Sequence, residues 1–169
     1  KFYLLDANEQ IIDAPPTKDL LSLIQDLKLQ GTDTIEGSLV VSKRYTKIMD
    51  NVRYIAISDR DNDHNFYLYR KTMSEVQGRE LILDGKEAFW DDMAGSYIKE
   101  KRPDAMLAPD LVKLILDGTR WNVDFVDSGF SETLDTNYYY KSRADALADL
   151  VSAMTIDIVP MINIEGNTI

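Results

Sequence analysis

Two strand-like segments joined by a polar stretch constrain the fold of this sequence more than any other feature. Residues 52–58 (VRYIAIS) and 66–72 (FYLYRKT) are rich in β-branched and aromatic side chains, which favour extended backbone. The intervening residues 59–65 are polar, as expected for an exposed loop. We therefore predict a β-hairpin, around which the first half of the chain builds further β-structure.

Shorter signals of the same kind flank this hairpin. An apolar run at 2–5, a polar turn at 6–10 and the pair Ile11-Ile12 predict a second hairpin. Residues 34–42 and 79–83 also have the composition of strands. The first half is therefore predicted to be β-rich and barrel-like.

Residues 17–30 carry two competing patterns. Four apolar residues that include Ile24 fit one face of a helix behind a Thr17 cap. Leu27 and Leu29, however, alternate with polar residues as in a strand. We predict a short helical turn followed by a strand.

The second half mixes helices and strands. Pro109 suits the first position of a helix that reaches residue 117 and stops at Gly118, and Ser142 caps another helix with regularly spaced apolar residues. A further helix is predicted at 86–93, with strands at 121–126, 137–140 and 155–164. The predicted class is α+β, with a β-rich subdomain at 1–85 and a mixed α+β subdomain at 86–169 that ends in a strand pair.

Composition excludes several classes of function. The 169 residues include 29 acidic and 19 basic side chains, so the formal charge of −10 repels phosphate and anionic membrane surfaces. No apolar run approaches the ~20 residues of a spanning helix. The absence of cysteine rules out disulfides, thiolate metal sites and cysteine nucleophiles, and His64 is the single histidine.

The alternating residues Asp59, Asp61 and Asp63 resemble the start of a calcium-binding loop. His64 stands where such a loop needs glycine for its sharp turn, and Arg70 stands where it needs the bidentate glutamate. We therefore interpret these aspartates as a charged hairpin tip in water, with no metal site.

The segment 125–129 (FVDSG) resembles the Asp-Ser/Thr-Gly loop of aspartic proteases, with Asp127 as its carboxylate. Those enzymes need two such carboxylates that share a proton, and a second copy is absent unless a symmetric dimer supplies it. Asp, Ser and Gly also favour turns. We therefore predict a turn after a strand.

Other conspicuous residues have structural explanations. Asp91 and Asp92 are adjacent, so on a helix they point about 100° apart and cannot act as a pair; we expect solvent to relieve their repulsion. Residues 138–140 are three tyrosines that alternate across a strand, two on one face and one on the other. Trp90 and Trp121 are expected in the core. No catalytic, cofactor-binding or metal-binding residue is predicted, which favours a structural or binding protein over an enzyme.

Four segments of the chain form an ordered set of motifs, at residues 29–34, 52–72, 114–123 and 158–167. The first contains LQGTDT, which fits the turn Leu-x-Gly-x-Asp-Thr, and the third is LILDGTRWNV, which contains Ile-Leu-x-Gly-Thr-x-Trp-x-Val. Taken together and in this order, the segments resemble those of a known family, the tail-associated (Tal-type) or baseplate hub proteins of phages and prophages of Gram-positive bacteria. The resemblance covers nearly the whole chain.

The resemblance implies the N-terminal hub region of a structural virion protein. Such proteins form a homotrimeric ring at the phage tail tip, made in the cytoplasm of the bacterial host, that continues the tail tube and guides genome ejection during host cell attachment. The implied partners are the distal tail protein and other baseplate proteins, with DNA passing without specific binding and with no membrane or cofactor. Hydrolase or lectin-like activity is expected in C-terminal extensions, although some members are described as tail endopeptidases.

Two alternatives remain open from the sequence. The first is a tail-borne peptidase or cell-wall hydrolase, for which Asp127 is the best candidate. The second is a receptor- or carbohydrate-binding module that uses the tyrosine-rich strand at 138–140. If the chain forms a tail-tip ring, we expect part of its negative charge to face the lumen and a sheet closed across three subunits to protect the strand edges.

Overall fold

The computed structural model describes residues 1–28, 32–58, 65–123, 133–154 and 156–163. The chain forms two compact units. Unit 1 comprises Lys1–Ala88 and a C-terminal segment that begins at Pro160, and unit 2 comprises Phe89–Val159. Unit 2 is therefore inserted into the sequence of unit 1.

Strands and short helices follow one another along the chain. In order they are β1 (Phe2–Leu5), β2 (Ile11–Asp13), β3 (Leu20–Asp26), β4 (Thr34–Val40), α1 (Lys43–Ile48), β5 (Tyr54–Ser58), β6 (Asn65–Gln77), β7 (Glu80–Glu87), α2 (Ala88–Ala94), β8 (Tyr97–Lys101), β9 (Met106–Leu107), α3 (Ala108–Leu116), β10 (Thr133–Leu134), β11 (Tyr138–Ser142), α4 (Arg143–Met154) and β12 (Ile162–Asn163). The class is α+β, as predicted.

Unit 1 is built on one large antiparallel sheet with the strand order β2-β1-β5-β6-β7-β4-β3. The terminal strands of this order, β2 and β3, do not pair with each other. The sheet is therefore open, and the prediction of a barrel-like subdomain is wrong in this respect. Alternating polar and apolar residues indicate strands, but they do not indicate whether the first and last strands meet.

Both predicted hairpins are present. β5 pairs with β6 from Tyr54 opposite Arg70 to Ser58 opposite Phe66, and β1 pairs with β2 across a bulge. The ambiguous segment at 17–30 contains a 3₁₀ turn at Thr17–Asp19 followed by β3, also as predicted. β6 and β7 are longer than predicted, so the helix expected at 86–93 begins only at Ala88, after the end of β7.

A short helix, α1, follows β4 and was not predicted. The Ser42 hydroxyl accepts a hydrogen bond from the backbone N–H of Tyr45 at 3.3 Å and caps the helix. Tyr45 is buried, and its hydroxyl donates to an Asp19 carboxylate oxygen at 2.6 Å. Six residues are too few for hydrophobic periodicity to show in the sequence. The strand was therefore predicted to extend to Ser42, the residue that caps the helix instead.

The core of unit 1 lies against one face of the sheet. Its buried members include Leu4, Ile35, Leu39, Tyr45, Ile55, Tyr69, Leu81 and Leu83. Gly85 on β7 lies within this packing. A Cβ atom there would approach Ile35 Cγ2 to 2.9 Å, Tyr69 Cβ to 3.1 Å and the Arg70 carbonyl oxygen to 3.2 Å. Only glycine fits at this crossing without displacement of its neighbours.

Unit 2 has its own core, formed mainly by the apolar faces of α2, α3 and α4. As predicted, Pro109 lies at the start of α3, and the Ser142 hydroxyl accepts a hydrogen bond from the backbone N–H of Asp145 at 3.0 Å at the start of α4. Gly118 has a φ of +77° after α3, the left-handed conformation expected of a helix stop.

Two strand predictions in the second half are wrong for the residues that the structure describes. Residues 121–123 form no strand, and in the segment 155–164 only Ile162–Asn163 does so. Trp121, Val123, Ile156 and Ile158 pack instead against the core of unit 2 from irregular chain. Their apolar character reflects this packing. In a short run of residues, an apolar pattern that arises from such packing cannot be distinguished from the pattern of a strand.

In the described part of the chain, every helix is too short or too polar to traverse a lipid bilayer.

Candidate functional site

Several predicted candidates cannot be placed. Asp59, Asp61, Asp63 and His64 of the calcium-like loop lie outside the described residues, and so does Asp127 with its segment 125–129. Residues 29–31 of the first family-like turn and residues 164–167 of the last family-like segment lie outside them as well. Within the described residues, no group of three His, Asp or Glu side chains is arranged to hold a metal ion.

Asp92 on α2 connects two elements of unit 2. One of its carboxylate oxygens accepts hydrogen bonds from Trp121 Nε1 at 3.0 Å and from Arg120 Nε at 2.8 Å. The Arg120 guanidinium also lies 5.1 Å from the centre of the Trp121 ring. The Asp92 side chain is 19% exposed, and the Arg120 guanidinium compensates its charge.

The family-like segment 114–123 forms the end of α3 and the turn that follows. The backbone N–H of Thr119 donates to the Leu116 carbonyl oxygen at 2.9 Å while Gly118 reverses the chain. The turn delivers Trp121 against Phe89, with the ring centres 5.1 Å apart and the rings perpendicular. Both tryptophans pack against the core, as predicted. The side chains of this motif that carry the resemblance therefore stabilise unit 2.

The three consecutive tyrosines do not alternate as expected. Tyr138 is buried, whereas Tyr139 and Tyr140 are 66% and 65% exposed. Tyr140 has a φ of +46°, which is uncommon for a residue with a side chain and interrupts the alternation of the strand. As a result Tyr139 and Tyr140 lie together on the surface, with perpendicular rings and centres 4.7 Å apart.

Oppositely charged pairs surround this exposed tyrosine pair. Glu100, which lies opposite Tyr139 across the β8–β11 ladder, is 2.6 Å from Arg102, and Lys141 on β11 bonds to Asp149. The strand pair therefore presents aromatic side chains among balanced charges, although the whole chain is strongly acidic.

A buried carboxyl group lies at the end of β7. Glu87 is 6% exposed, and its backbone N–H donates to the Asp33 carbonyl oxygen at 2.9 Å. The Asp33 N–H approaches Glu87 Oε2 at 3.5 Å, so the two acidic residues are held side by side. Burial, together with the negative charge of Asp33, raises the pKa of Glu87 to about 7.

The surroundings of Glu87 reach β3. Tyr69 lies opposite Glu87 on β6, and its hydroxyl accepts a hydrogen bond from Gln25 Nε2 of β3. An Asp33 carboxylate oxygen accepts a hydrogen bond from the backbone N–H of Lys28, just beyond β3, at 2.7 Å. Two hydrogen bonds therefore connect the acidic pair and its neighbour to the edge strand of the sheet.

Two open strand edges flank the four-stranded section β3-β4-β7-β6 of the sheet. Among the described residues, β3 pairs with β4 alone, and residues 73–77 of β6 pair with β7 alone because β5 reaches only Arg70. Both edges carry exposed apolar side chains, which include Ile24 at 61% and Val76 at 50% exposure. Soluble proteins usually protect such edges with charges or cover them.

Ile24 and Met73 end one row of side chains that crosses all four strands through Glu36 and Asp84. This row lies on the face of the sheet opposite Leu83 and the core, because side chains alternate along each strand. The exposed apolar residues therefore mark both ends of a partly acidic sheet face.

No known family's sequence pattern matches this chain, and no curated protein matches it significantly. Sequence reasoning missed the buried Glu87–Asp33 pair and did not identify β3 as an open edge. The only sequence signal for the edge was the number of leucines in the segment 20–27, which also fitted a helix.

Proposed function

We propose that this chain is a structural ring-forming protein of a phage tail tip, of the baseplate hub type. The observation that carries the proposal is the pair of open, apolar strand edges on the four-stranded section β3-β4-β7-β6. A subunit that must join copies of itself side by side needs two complementary edges, and a ring leaves none of them exposed.

The strand directions of this section suit head-to-tail assembly. Each neighbouring pair is antiparallel, so β3 and β6 run in opposite directions after three reversals. In a ring of copies related by rotation, β3 of one copy would therefore meet residues 73–77 of the next copy as an antiparallel pair. The terminal strands β2 and β3 run in the same direction, so they would meet as a less favourable parallel pair.

Charge on the outer face of this section agrees with a tube through which DNA passes. That face carries more carboxylates than cations: Asp26, Glu36, Glu75, Glu80 and Asp84 against Arg70 and Lys86. Excess negative charge repels phosphate and keeps DNA from binding to the wall. A ring lumen lined mainly by lysine and arginine would contradict this part of the proposal.

The first test is the mass of the native chain by light scattering after size-exclusion chromatography. We expect a species about three times the 19.3 kDa of one copy. Ile24→Lys places a charge on the β3 edge and should yield the single-copy mass, whereas Val159→Lys, a matched change at an exposed apolar residue of unit 2, should not. A wild-type chain that stays monomeric at every concentration would refute ring formation.

The second test is immunogold electron microscopy of phage particles with antibodies that bind the native chain. Label at the distal tip of the tails is expected. Intact tails without label would contradict a virion role even if the chain forms rings in solution.

A second candidate function is binding of a receptor saccharide by unit 2. The exposed Tyr139–Tyr140 pair favours it, because aromatic rings provide apolar faces with polar tips and because backbone strain often persists at functional positions. In a glycan-binding assay, replacement of both tyrosines by alanine should abolish binding, and Val159→Ala should leave it intact. Binding that survives the double replacement would exclude this surface.

A further inference from the structure

We propose that protonation of the buried Glu87 controls how firmly the β3 edge is held, and thereby makes subunit association depend on pH. The effect on association rests on the proposed ring function, whereas the effect on β3 does not. It follows from the position of Glu87 beside Asp33 and from the hydrogen bonds that connect this pair to β3.

The first step concerns the charge of the pair. Glu87 is nine-tenths buried and lies against Asp33, the titratable residue on the segment before β4. From β6 the facing titratable group is Tyr69, whose pKa is raised by burial, so it stays neutral across the physiological range. Arg70 and Lys86 form the adjacent row and lie on the opposite face, whereas Lys71, opposite Gly85, lies on the same face and donates from Nζ to the Met49 carbonyl oxygen at 2.7 Å. Ionised Glu87 would therefore meet the negative charge of Asp33, while the lysine on its face is bonded to a backbone carbonyl group.

The second step concerns what this repulsion acts on. Asp33 accepts the hydrogen bond from the Lys28 N–H, and Tyr69 accepts the one from Gln25. β3 otherwise pairs only with β4 among the described residues, so these bonds supplement a single ladder. Repulsion that moves Asp33 away from Glu87 weakens the attachment of β3 at its C-terminal end.

The direction of the effect is fixed by the raised pKa of about 7. Below that value Glu87 is neutral in the folded chain, and the pair is stable. As the pH rises through 7, Glu87 ionises and β3 loosens. The strand edge proposed for ring contacts is therefore held more firmly in mildly acidic than in alkaline solution.

Amide hydrogen exchange of the native chain tests this directly, without any need for association. Wild type, Glu87→Gln and the control Glu80→Gln, an exposed carboxylate on the same strand, are compared at pH 5.5 and pH 8.5. At pH 8.5 the amides of β3 should exchange at least about tenfold more slowly in Glu87→Gln than in wild type, which corresponds to one unit of pKa. At pH 5.5 the difference should be smaller, and Glu80→Gln should follow wild type throughout.

A second variant keeps the test decisive if Glu87→Gln folds poorly. Asp33→Asn retains an oxygen for the Lys28 N–H but removes the negative charge that raises the pKa of Glu87. Glu87 should therefore ionise at lower pH in this variant, and the loosening of β3 with rising pH should be much smaller than in wild type, because no second charge repels it. Equal pH profiles for β3 in wild type and Glu87→Gln would overturn the proposal. So would a change spread evenly over the whole sheet.

Association measured by light scattering at the same two pH values separates the two proposals. If β3 responds as expected but wild type never associates, the ring function fails and the control of β3 by Glu87 stands. If wild type associates equally at both pH values while β3 loosens, the coupling to assembly is wrong.

Discussion

Replacement of Gly85 by alanine tests whether unit 1 is packed as described. The added Cβ would lie 2.9 Å from Ile35 Cγ2 and 3.1 Å from Tyr69 Cβ, closer than side chains normally approach. Both neighbours are fully buried, and the third contact is a backbone carbonyl oxygen. None of them can turn towards solvent, so β4, β6 or β7 must shift.

The expected cost follows from two opposing effects. Overpacking of a well-filled core costs about 1–3 kcal/mol. Loss of glycine's freedom in the unfolded chain returns about 0.4–1 kcal/mol. We therefore expect Gly85→Ala to lower the free energy of unfolding by about 1–2 kcal/mol.

Gly37 on β4 supplies the matched control. A Cβ there would meet Leu23 Cδ1 at 3.3 Å, the flexible end of an exposed side chain, so Gly37→Ala should be neutral or slightly stabilising. Urea unfolding of unit 1 is best followed by far-ultraviolet circular dichroism, because both tryptophans lie in unit 2. Equal stabilities for the two variants would refute the described packing around Gly85.

Two further predictions concern charge. Glu87→Gln should raise the free energy of unfolding, and the gain over wild type should grow by about 2 kcal/mol between pH 5.5 and pH 8. The reason is that the pKa of Glu87 is 4.5 in the unfolded chain and about 7 in the folded chain, so the wild-type protein loses stability as the pH rises between these two values. Urea titrations at the two pH values measure it, and a constant difference would contradict the raised pKa. Asp92→Asn should destabilise unit 2 by about 1–2 kcal/mol, since the Arg120 guanidinium loses its charged partner. Tryptophan fluorescence reports this unfolding, and Asp110→Asn, which removes only an exposed ion pair, should have little effect; equal losses for both would argue against the Asp92 contacts.

Local signals in the sequence predicted much of the fold. The β5–β6 hairpin follows from composition, and the ends of α3 and α4 follow from Pro109, Gly118 and Ser142, each of which acts on its own neighbours. The six residues of α1 are too few to show a helical period, and their cap depends on a single hydroxyl. Sheet closure depends on whether β2 and β3 meet, which no local pattern encodes.

The candidate sites were harder to predict because they depend on register and backbone conformation. Glu87 and Asp33 are separated by 54 residues, and only the pairing of β7 with β4 and β6 brings them together. Likewise, Tyr139 and Tyr140 share a surface only because of the positive φ at Tyr140. Without knowledge of that angle, the best assumption is that side chains alternate regularly along the strand, and this would place the two tyrosines on opposite faces.

The insertion of unit 2 within unit 1 has a consequence for folding during synthesis. Seven strands of the large sheet leave the ribosome before residue 89, and they can pair along their whole order without β12. β12 emerges only after unit 2 and pairs with Phe66 and Asn65, on the same side of β6 as β7 and just beyond the end of the β6–β7 pairing at Tyr69. During translation the seven strands of the sheet therefore emerge first, unit 2 emerges second, and β12, which pairs with the sheet, emerges last.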